Sequence, residues 1–290
     1  MAQKVWFITG CSTGFGRELA KIAGEKGDMV IGTLRKESQI ASFDQLVPGK
    51  TTGVLLDVTK PEQIREGVKK AVDLHGRIDV LVNNAGYGSL GAVEEVPFEE
   101  MYRQFDVNVF GCVRMIQEVL PHMRSQKSGH ILNITSIAGI QGYPGVGIYN
   151  GSKFALEGIG EALGKEVAHL GIKVINIEPG PFRTDWAGRS ATFTPSKIAD
   201  YEKSAAQNMQ NIGNVSGKQV GDPIKGAEAM YAVTELENPP AHLPLGGPAY
   251  RRFRAKLDEL RQELDDYEYM GLAYGLSSGI SLPPLPSGEH

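Results

Sequence analysis

The chain has 290 residues, of which 41% are hydrophobic and 22% charged, and it contains 36 glycines. This composition is that of an ordinary globular protein, and the length suits one α/β domain with extensions. A net charge of −4 and an isoelectric point near 5.9 argue against a nucleic-acid or anionic-membrane partner.

Neither cysteine is placed to form a structural disulfide, because Cys11 falls in a glycine-rich loop and Cys112 in a helical stretch. The N-terminus has no signal-peptide hydrophobic region, and no apolar run reaches the length of a transmembrane helix. We therefore expect a cytoplasmic protein in a reducing compartment, with no membrane span.

A continuous apolar run at residues 5–9 predicts a parallel strand that is buried on both faces. Gly10, Gly14 and Gly16 follow it, and residues 17–26 then have helical spacing. Such a strand, turn and helix form an anion site, because the glycines let backbone N–H groups approach a pyrophosphate and the helix dipole favours its charge. The alternative is a tight strand–helix connection with no ligand.

The second predicted strand, residues 29–33, ends where NAD enzymes usually place an acid that accepts a hydrogen bond from the ribose 2′-hydroxyl. That place holds Leu34, followed by Arg35 and Lys36. No carboxylate is present to repel a 2′-phosphate, and the Arg35 guanidinium is placed to bind one. The sequence therefore favours NADP(H) over NAD(H). The alternative is a solvated Arg-Lys pair on a loop.

Strand and helix patterns alternate without a linker as far as residue 184. Further strands are predicted at residues 53–58, 79–82, 131–135 and 173–177, and helices from residue 61 and over 98–123 and 149–170. The predicted fold is a doubly wound, Rossmann-type parallel sheet of about seven strands with helices on both faces, in a single domain.

The pattern becomes irregular beyond residue 184. We assign residues 1–247 to the catalytic domain, with a polar substrate loop region at 185–218, a helix near 222–236 and a short last strand at 242–245. Residues 248–290 form a charged helix over 249–267 and a loose tail or arm over 271–290. The basic residues of this helix precede its acidic ones, against the helix dipole, so packing must hold it.

Tyr149 and Lys153 lie four residues apart at the start of a predicted helix, so their side chains share one face. A nearby ammonium group favours phenolate, and the spacing predicts a Tyr149 pKa below its ordinary value of about 10. The alternative is a solvated pair of neighbours. Asn108 lies in the middle of another predicted helix, where Asn is a poor helix former and needs a reason to be present.

The ordered set of motifs resembles the classical short-chain dehydrogenase/reductase family. It comprises Thr9-Gly10-x3-Gly14-x-Gly16, Asn83-Asn84-Ala85-Gly86, Asn108, Ser136, Tyr149-x3-Lys153 and Pro179-Gly180. The resemblance covers residues 4 to about 185, and more loosely to about 247. The segment 33–35 and the glycine loop are similar to those of hydroxysteroid- and retinol-dehydrogenase-like members.

The resemblance implies that Tyr149 is the general acid or base, that Lys153 lowers its pKa and holds the nicotinamide ribose, and that Ser136 binds the substrate oxygen. Asn108 would anchor a water in a proton relay to Lys153. The implied NADP(H) contacts, besides Tyr149, Lys153 and Arg35, are Gly10, Ser12, Thr13, Gly14, Phe15, Gly16, Asp57, Val58, Asn84, Ala85, Gly86, Pro179, Gly180, Phe182 and Thr184. No metal is expected.

The resemblance implies that the protein interconverts a carbonyl and an alcohol. The expected pocket walls are largely apolar and aromatic, so the predicted substrate is a bulky hydrophobic small molecule. These walls, besides Ser136, are Ile137, Ala138, Tyr143, Pro181, Phe182 and Trp186. One alternative is a catalytically silent NADP-binding sensor or scaffold, and another is an epimerase or dehydratase of the extended branch. Family analogy also predicts a homodimer or homotetramer that pairs through the helices at 98–123 and 149–170.

Overall fold

The computed structural model describes residues 3–272, and the part of the predicted tail at 273–290 lies outside the described residues. Its strands are β1 Val5–Ile8, β2 Met29–Leu34, β3 Thr51–Leu55, β4 Val80–Asn83, β5 Gly88–Leu90, β6 Gly129–Ile134, β7 Ile172–Pro179, β8 Ala191–Phe193 and β9 His242–Leu245. Its α-helices are α1 Gly14–Glu25, α2 Ile40–Asp44, α3 Pro61–His75, α4 Phe98–Phe105, α5 Gly111–Gln126, α6 Gly147–Val167, α7 Gln207–Asn214, α8 Pro223–Val233 and α9 Gly247–Leu272.

Seven parallel strands form the main sheet in the order β3-β2-β1-β4-β6-β7-β9, which confirms the predicted doubly wound fold. The chain runs outwards from β1 to β3 and then returns to the other side of β1 with β4. The strand order therefore reverses between β1 and β4, and ligands of open α/β sheets bind outside the carboxyl ends of the strands at such a point.

Both faces of the sheet are buried, because alternate residues of each strand face opposite helix layers. On β1, Trp6 and Ile8 pack with α1 and α8, whereas Phe7 packs with α3 and α5. All four β1 residues are at most 4% exposed, as expected for an apolar run at the centre of a parallel sheet.

The helix predicted over residues 98–123 forms, but one turn in its middle is not α-helical. A π-helical turn, Asp106–Phe110, separates α4 from α5. Asn108 lies in this turn, where its amide accepts from the Tyr87 N–H at 3.1 Å and donates to the Tyr87 carbonyl at 3.0 Å. The widened turn thus carries a side chain that bonds to the β4–β5 loop, and single π turns often occur at functional sites.

The 185–218 region is more regular than the sequence predicted. Its strand β8 pairs in parallel with β5 in a separate two-stranded sheet, and a π-helical turn at Glu202–Ala206 leads into α7. The β5–β8 pairing places this region against the segment that follows β4. Strands β5 and β8 were not predicted because each has only three residues, which is too few to show the alternation of apolar and polar residues typical of a strand.

The C-terminal helix forms as predicted, but only its first turns pack on the domain. Phe253 lies against His242, with ring centroids 6.4 Å apart, whereas Leu257, Leu260 and Leu264 are 53%, 43% and 72% exposed. The expectation that packing holds the whole helix is therefore not met within residues 3–272. No helix in that range combines the length and the apolar character needed to cross a membrane.

Candidate active site

The loops after β1 and β4 meet at the point where the strand order reverses. Asn84 Nδ2 donates to the carbonyl oxygens of Thr9 and Gly10 at 2.8 and 3.0 Å. The two loops approach so closely that a Cβ on Gly16 would lie 2.5 Å from Asn84 Nδ2. Asn84, predicted to contact the cofactor, therefore also fixes the shape of the glycine loop.

Helix α1 offers open donors to an anion at this crevice. Its N-cap residue, Thr13, makes no side-chain capping bond, and the first turn contains no acidic residue. Gly10 and Gly14 adopt φ values of +73° and +61°, in the left-handed region that favours glycine. The free N–H groups and the positive end of the helix dipole together fit a pyrophosphate.

Two arginines lie near the glycine loop. Arg35 directly follows β2, whose Thr33 accepts hydrogen bonds from the N–H groups of Gly10 and Cys11 at 3.0 and 2.9 Å. The end of β2 therefore borders the loop, as the prediction of a 2′-phosphate contact requires. Arg189, which the sequence analysis missed, donates to Thr13 Oγ1 at 2.8 Å across 176 residues of chain. No local pattern could have indicated this long-range contact.

The π-helical turn brings Asn108 to the predicted catalytic lysine. A Cβ on Gly86 would lie 3.2 Å from Asn108 Oδ1 and 3.8 Å from Lys153 Nζ, so only glycine leaves this space open. Asn108 also donates to Ser152 Oγ at 3.2 Å. The structure therefore places Asn108, Gly86 and Lys153 in one group, whereas the water relay itself stays a prediction.

Ser136, Tyr149 and Lys153 also converge. Ser136 follows β6 and accepts from the Ala138 N–H at 3.0 Å, and its hydroxyl lies near enough to Tyr149 to lower the pKa of the phenol. Lys153 donates to the Ile134 carbonyl at 2.7 Å, and its Nζ lies 5.8 Å from the centre of the Tyr149 ring. A proton donor, a hydroxyl and a cation thus share one site at the end of β6.

The predicted fall in the Tyr149 pKa was wrong. Burial raises the pKa of Tyr149 to about 12, although the nearby Ser136 hydroxyl acts to lower it. Burial also lowers the pKa of Lys153 to about 8. The phenol is 6% exposed and packs on Trp186 with ring centroids 5.0 Å apart, so desolvation outweighs the attraction of a cation that itself binds a carbonyl.

We expect Tyr149 to stay protonated above pH 10 in protein free of nucleotide. A raised pKa keeps the neutral phenol, so tyrosinate should form here only near pH 12. The measurement is the ultraviolet titration of tyrosinate absorbance, taken as wild type minus Tyr149→Phe. A step between pH 7 and 9 in this difference, about the range of a phenol activated by a cation, would contradict the structure.

Several predicted pocket residues gather around Tyr149. Ala138, Tyr143 and Trp186 belong to or pack against the same apolar cluster as Tyr149, together with Met209 from α7. A cavity of about 750 Å³ lies within residues 193–214 and shares Met209, but Ser136, Tyr149 and Lys153 do not line it. The 185–218 region therefore packs against Tyr149 through Trp186 and Met209, whereas the cavity itself lies beside the predicted catalytic group.

The other predicted residues border this crevice at varying distance. Thr184 lies over the glycine loop, since a Cβ on Gly14 would be 3.6 Å from it, and Phe182 packs on Phe15 with centroids 5.0 Å apart. Asp57 bonds to Thr59 at the end of β3. The remaining members have mainly structural contacts here. Ile137 and Val58 are buried, and Pro179 ends β7. Gly180 donates to the Leu245 carbonyl and Pro181 accepts from the Gly221 N–H, each at 3.0 Å.

A family profile described as "short chain dehydrogenase" matches residues 4–193. The chain belongs to the short-chain dehydrogenase family. Among similar members, Oxidoreductase BOA17 of Botryotinia fuckeliana is 37% identical over 91% of this chain and 96% of its own length. The 3-ketodihydrosphingosine reductase of Bacteroides thetaiotaomicron is 37% identical over 85% of this chain and 89% of its own length.

Two solved structures have a similar fold. A short-chain dehydrogenase from Streptomyces avermitilis superposes with a TM-score of 0.89, at 37% identity over 94% of this chain and 99% of its own. ElxO with NADP bound superposes with a TM-score of 0.71, at 26% identity over 86% of this chain and 100% of its own. The chain is thus an oxidoreductase of the short-chain dehydrogenase fold.

Proposed function

We propose that this short-chain dehydrogenase interconverts a carbonyl and an alcohol with NADP(H), on a bulky hydrophobic substrate. The observation that carries the proposal is the meeting of Ser136, Tyr149 and Lys153 at the end of β6, beside the crevice between the β1 and β4 loops. A neutral phenol suits carbonyl reduction, because it can give its proton to the oxygen on which negative charge develops.

The residues of the chain would handle this proton. Ser136 would donate a hydrogen bond to the carbonyl oxygen, and the Tyr149 hydroxyl would transfer its proton to the same oxygen. Lys153 would hold the nicotinamide ribose and stabilise the phenolate left by the transfer, and Asn108 would anchor the water that returns a proton. In oxidation, Tyr149 would accept the proton instead.

NADP(H) would supply the hydride when bound. The glycine loop and the open N-terminus of α1 fit its pyrophosphate, and Arg35 would bind the 2′-phosphate. Arg189, which bonds to Thr13 and pairs with Asp185 at 3.1 Å, would also lie beside the loop. The similarity to ElxO, whose structure holds NADP, supports this preference over NAD(H).

The apolar cluster around Tyr149 supports a hydrophobic substrate, and the similar protein from Bacteroides is named as a reductase of 3-ketodihydrosphingosine. The test is a panel of bulky ketones, aldehydes and alcohols assayed by NADPH absorbance. We expect turnover to rise with the apolar area next to the carbonyl. Turnover of only small polar substrates would contradict the substrate class.

A catalytically silent NADP sensor is the alternative, and we favour the enzyme because Ser136, Tyr149 and Lys153 are all present and adjacent. Tight NADPH binding without turnover of any carbonyl or alcohol in the panel would support the sensor. We also propose a cytoplasmic location, with which two buried, free cysteines are compatible.

We further propose that the chain forms a homodimer or homotetramer through α4, α5 and α6. Phe98, Tyr102, Phe110 and Phe154 are 71%, 73%, 51% and 44% exposed on these helices and the turn between them. Exposed apolar groups of this kind often mark an interface. We expect Phe110→Glu with Phe154→Glu to lower the assembly mass, measured by light scattering after size exclusion.

The matched control for this pair is Leu74→Glu, a change to another exposed apolar residue, on α3, at 53% exposure. It should leave the mass unchanged. The proposed interface would be contradicted if the double phenylalanine variant kept the wild-type assembly mass, or if the Leu74 variant lost as much assembly mass as the double variant.

A further inference from the structure

A buried group of two acids and one histidine lies where α6, β7 and β9 meet, one helical turn beyond Lys153. Glu157 is 5% exposed and Glu178 is fully buried, whereas the His242 side chain is 30% exposed. His242 Nδ1 lies 2.7 Å from Glu178 Oε1 and 3.4 Å from Glu157 Oε2. One donor atom from each residue lies within 4.8 Å of the other two.

Within the described part of the chain, these carboxylates have no lysine or arginine partner. Among the ion pairs of residues 3–272, Glu157 and Glu178 pair only with His242, and with no lysine or arginine. Glu178 Oε2 is wholly buried and has no hydrogen-bond partner. Burying a carboxylate costs several kcal/mol unless it is paired or binds a metal. A divalent cation at this point would neutralise both acids.

The imidazole is oriented as a metal ligand would be. His242 Nε2 lies 3.2 Å from Glu161 Oε1, on the outer side of the ring. In the tautomer that donates Nε2–H to Glu161, Nδ1 presents its lone pair to Glu157 and Glu178. Metal-binding histidines commonly donate their other N–H to a carboxylate in this way, which fixes the ring and its tautomer.

The Glu157 carboxylate is positioned from behind by amides. Asn176 donates to Glu157 Oε2 at 2.7 Å, and Asn133 in turn donates to Asn176 Oδ1 at 3.1 Å. Asn83 extends this row by donating to Asn133 Oδ1 at 3.0 Å. These asparagines share one register level on β4, β6 and β7, so the sheet itself holds the ligand side chain.

Distances and access fit a small tetrahedral ion. Bonds of about 2.0–2.1 Å from the metal to each ligand imply separations of roughly 3.4 Å between ligand atoms. His242 and Glu157 already have this separation. His242 and Glu178 are closer because they share a hydrogen bond, and they would reach it when a metal replaces the hydrogen bond. A cavity of about 480 Å³ borders His242 and Glu161 and provides a route from solvent. Imidazole with carboxylates suits zinc-like ions, whereas magnesium and calcium prefer oxygen alone.

We propose that Glu157, Glu178 and His242 bind one divalent ion of the zinc class, with water from the cavity side as the fourth ligand. The ion would join the edge strand β9 to β7 and α6. Metal binding displaces the proton that the acids and the imidazole share, and this proton is released to solvent. No electron is transferred. This site is separate from the proposed hydride-transfer chemistry, so Tyr149→Phe should bind the ion as wild type does.

The test is titration of chelator-treated full-length protein with ZnCl2 by calorimetry, and with CoCl2 by visible absorption. We expect one ion per chain, intense cobalt bands of tetrahedral coordination and a raised melting temperature with zinc. Glu178→Gln and His242→Asn should each weaken binding by about 10- to 100-fold or more, at unchanged circular dichroism. Two separate variants are used so that the test still holds if one of them fails to fold.

His169→Ala is the matched control, because His169 is an exposed histidine that does not belong to the three-ligand group. It should bind zinc and cobalt as wild type does. The proposal is overturned if the wild type shows no saturable binding, if cobalt spectra persist in Glu178→Gln and His242→Asn, or if His169→Ala loses the site.

Discussion

Tyr149→Phe is expected to lower kcat for carbonyl reduction by about 10²- to 10⁴-fold, the usual contribution of a positioned general acid. The variant removes the only proton that Tyr149 can give, while the phenyl ring keeps its contact with Trp186. The fold and the glycine loop are untouched, so the dissociation constant of NADPH should change by no more than about threefold. Steady-state NADPH oxidation and fluorescence titration measure the two quantities.

Tyr231→Phe is the matched control for loss of a hydroxyl. The Tyr231 hydroxyl donates to Asp28 at 3.1 Å. Asp28 directly precedes β2, so this bond lies at the amino-terminal ends of the strands, whereas the active-site crevice lies at their carboxyl ends. Its removal should leave kcat near the wild-type value. Retention of wild-type turnover in Tyr149→Phe would refute the acid–base role, and equal losses in both variants would indicate a general effect on the fold.

Arg35→Ala is expected to shift cofactor preference from NADPH towards NADH by about 10- to 100-fold. A charge-assisted hydrogen bond contributes about 1.5–3 kcal/mol, and every 1.4 kcal/mol is a tenfold effect. The measurement is the ratio of kcat/KM for NADPH to that for NADH. The absolute value with NADH should change little, because NADH has no 2′-phosphate for Arg35 to bind.

Lys36→Ala is the control for this change, since it removes an adjacent exposed charge without the planar guanidinium. An unchanged ratio in Arg35→Ala, or an equal shift in Lys36→Ala, would show that the 2′-phosphate site is misplaced. Leu34→Asp is a poorer test than the sequence alone indicates. Leu34 is 2% exposed in the core, so its replacement would also bury a charge.

The crevice could be predicted because its residues follow recognisable strands. Apolar runs mark the buried strands, and Gly10, Asn84 and Ser136 stand at their carboxyl ends, which meet at one edge of a parallel sheet. The fold and family followed from this order. The assignment of individual roles to these residues remains a set of predictions.

Other features depend on contacts between distant segments, which a pattern along the chain does not contain. The Tyr149 pKa rises because Trp186 and neighbouring groups bury the phenol, and the spacing to Lys153 carries no information on burial. Likewise, the cluster of Glu157, Glu178 and His242 joins three elements separated by up to 85 positions. Only packing brings these groups together.

The most direct test of the proposed hydride transfer is an isotope measurement. Wild-type protein would be incubated with a bulky hydrophobic ketone and NADPH carrying deuterium at the transferred position, and the product analysed by mass spectrometry. We predict an alcohol with one deuterium on its carbinol carbon, absent with Tyr149→Phe over the same time. Unlabelled product, or no alcohol from any carbonyl of the panel while NADPH stays bound, would contradict the account.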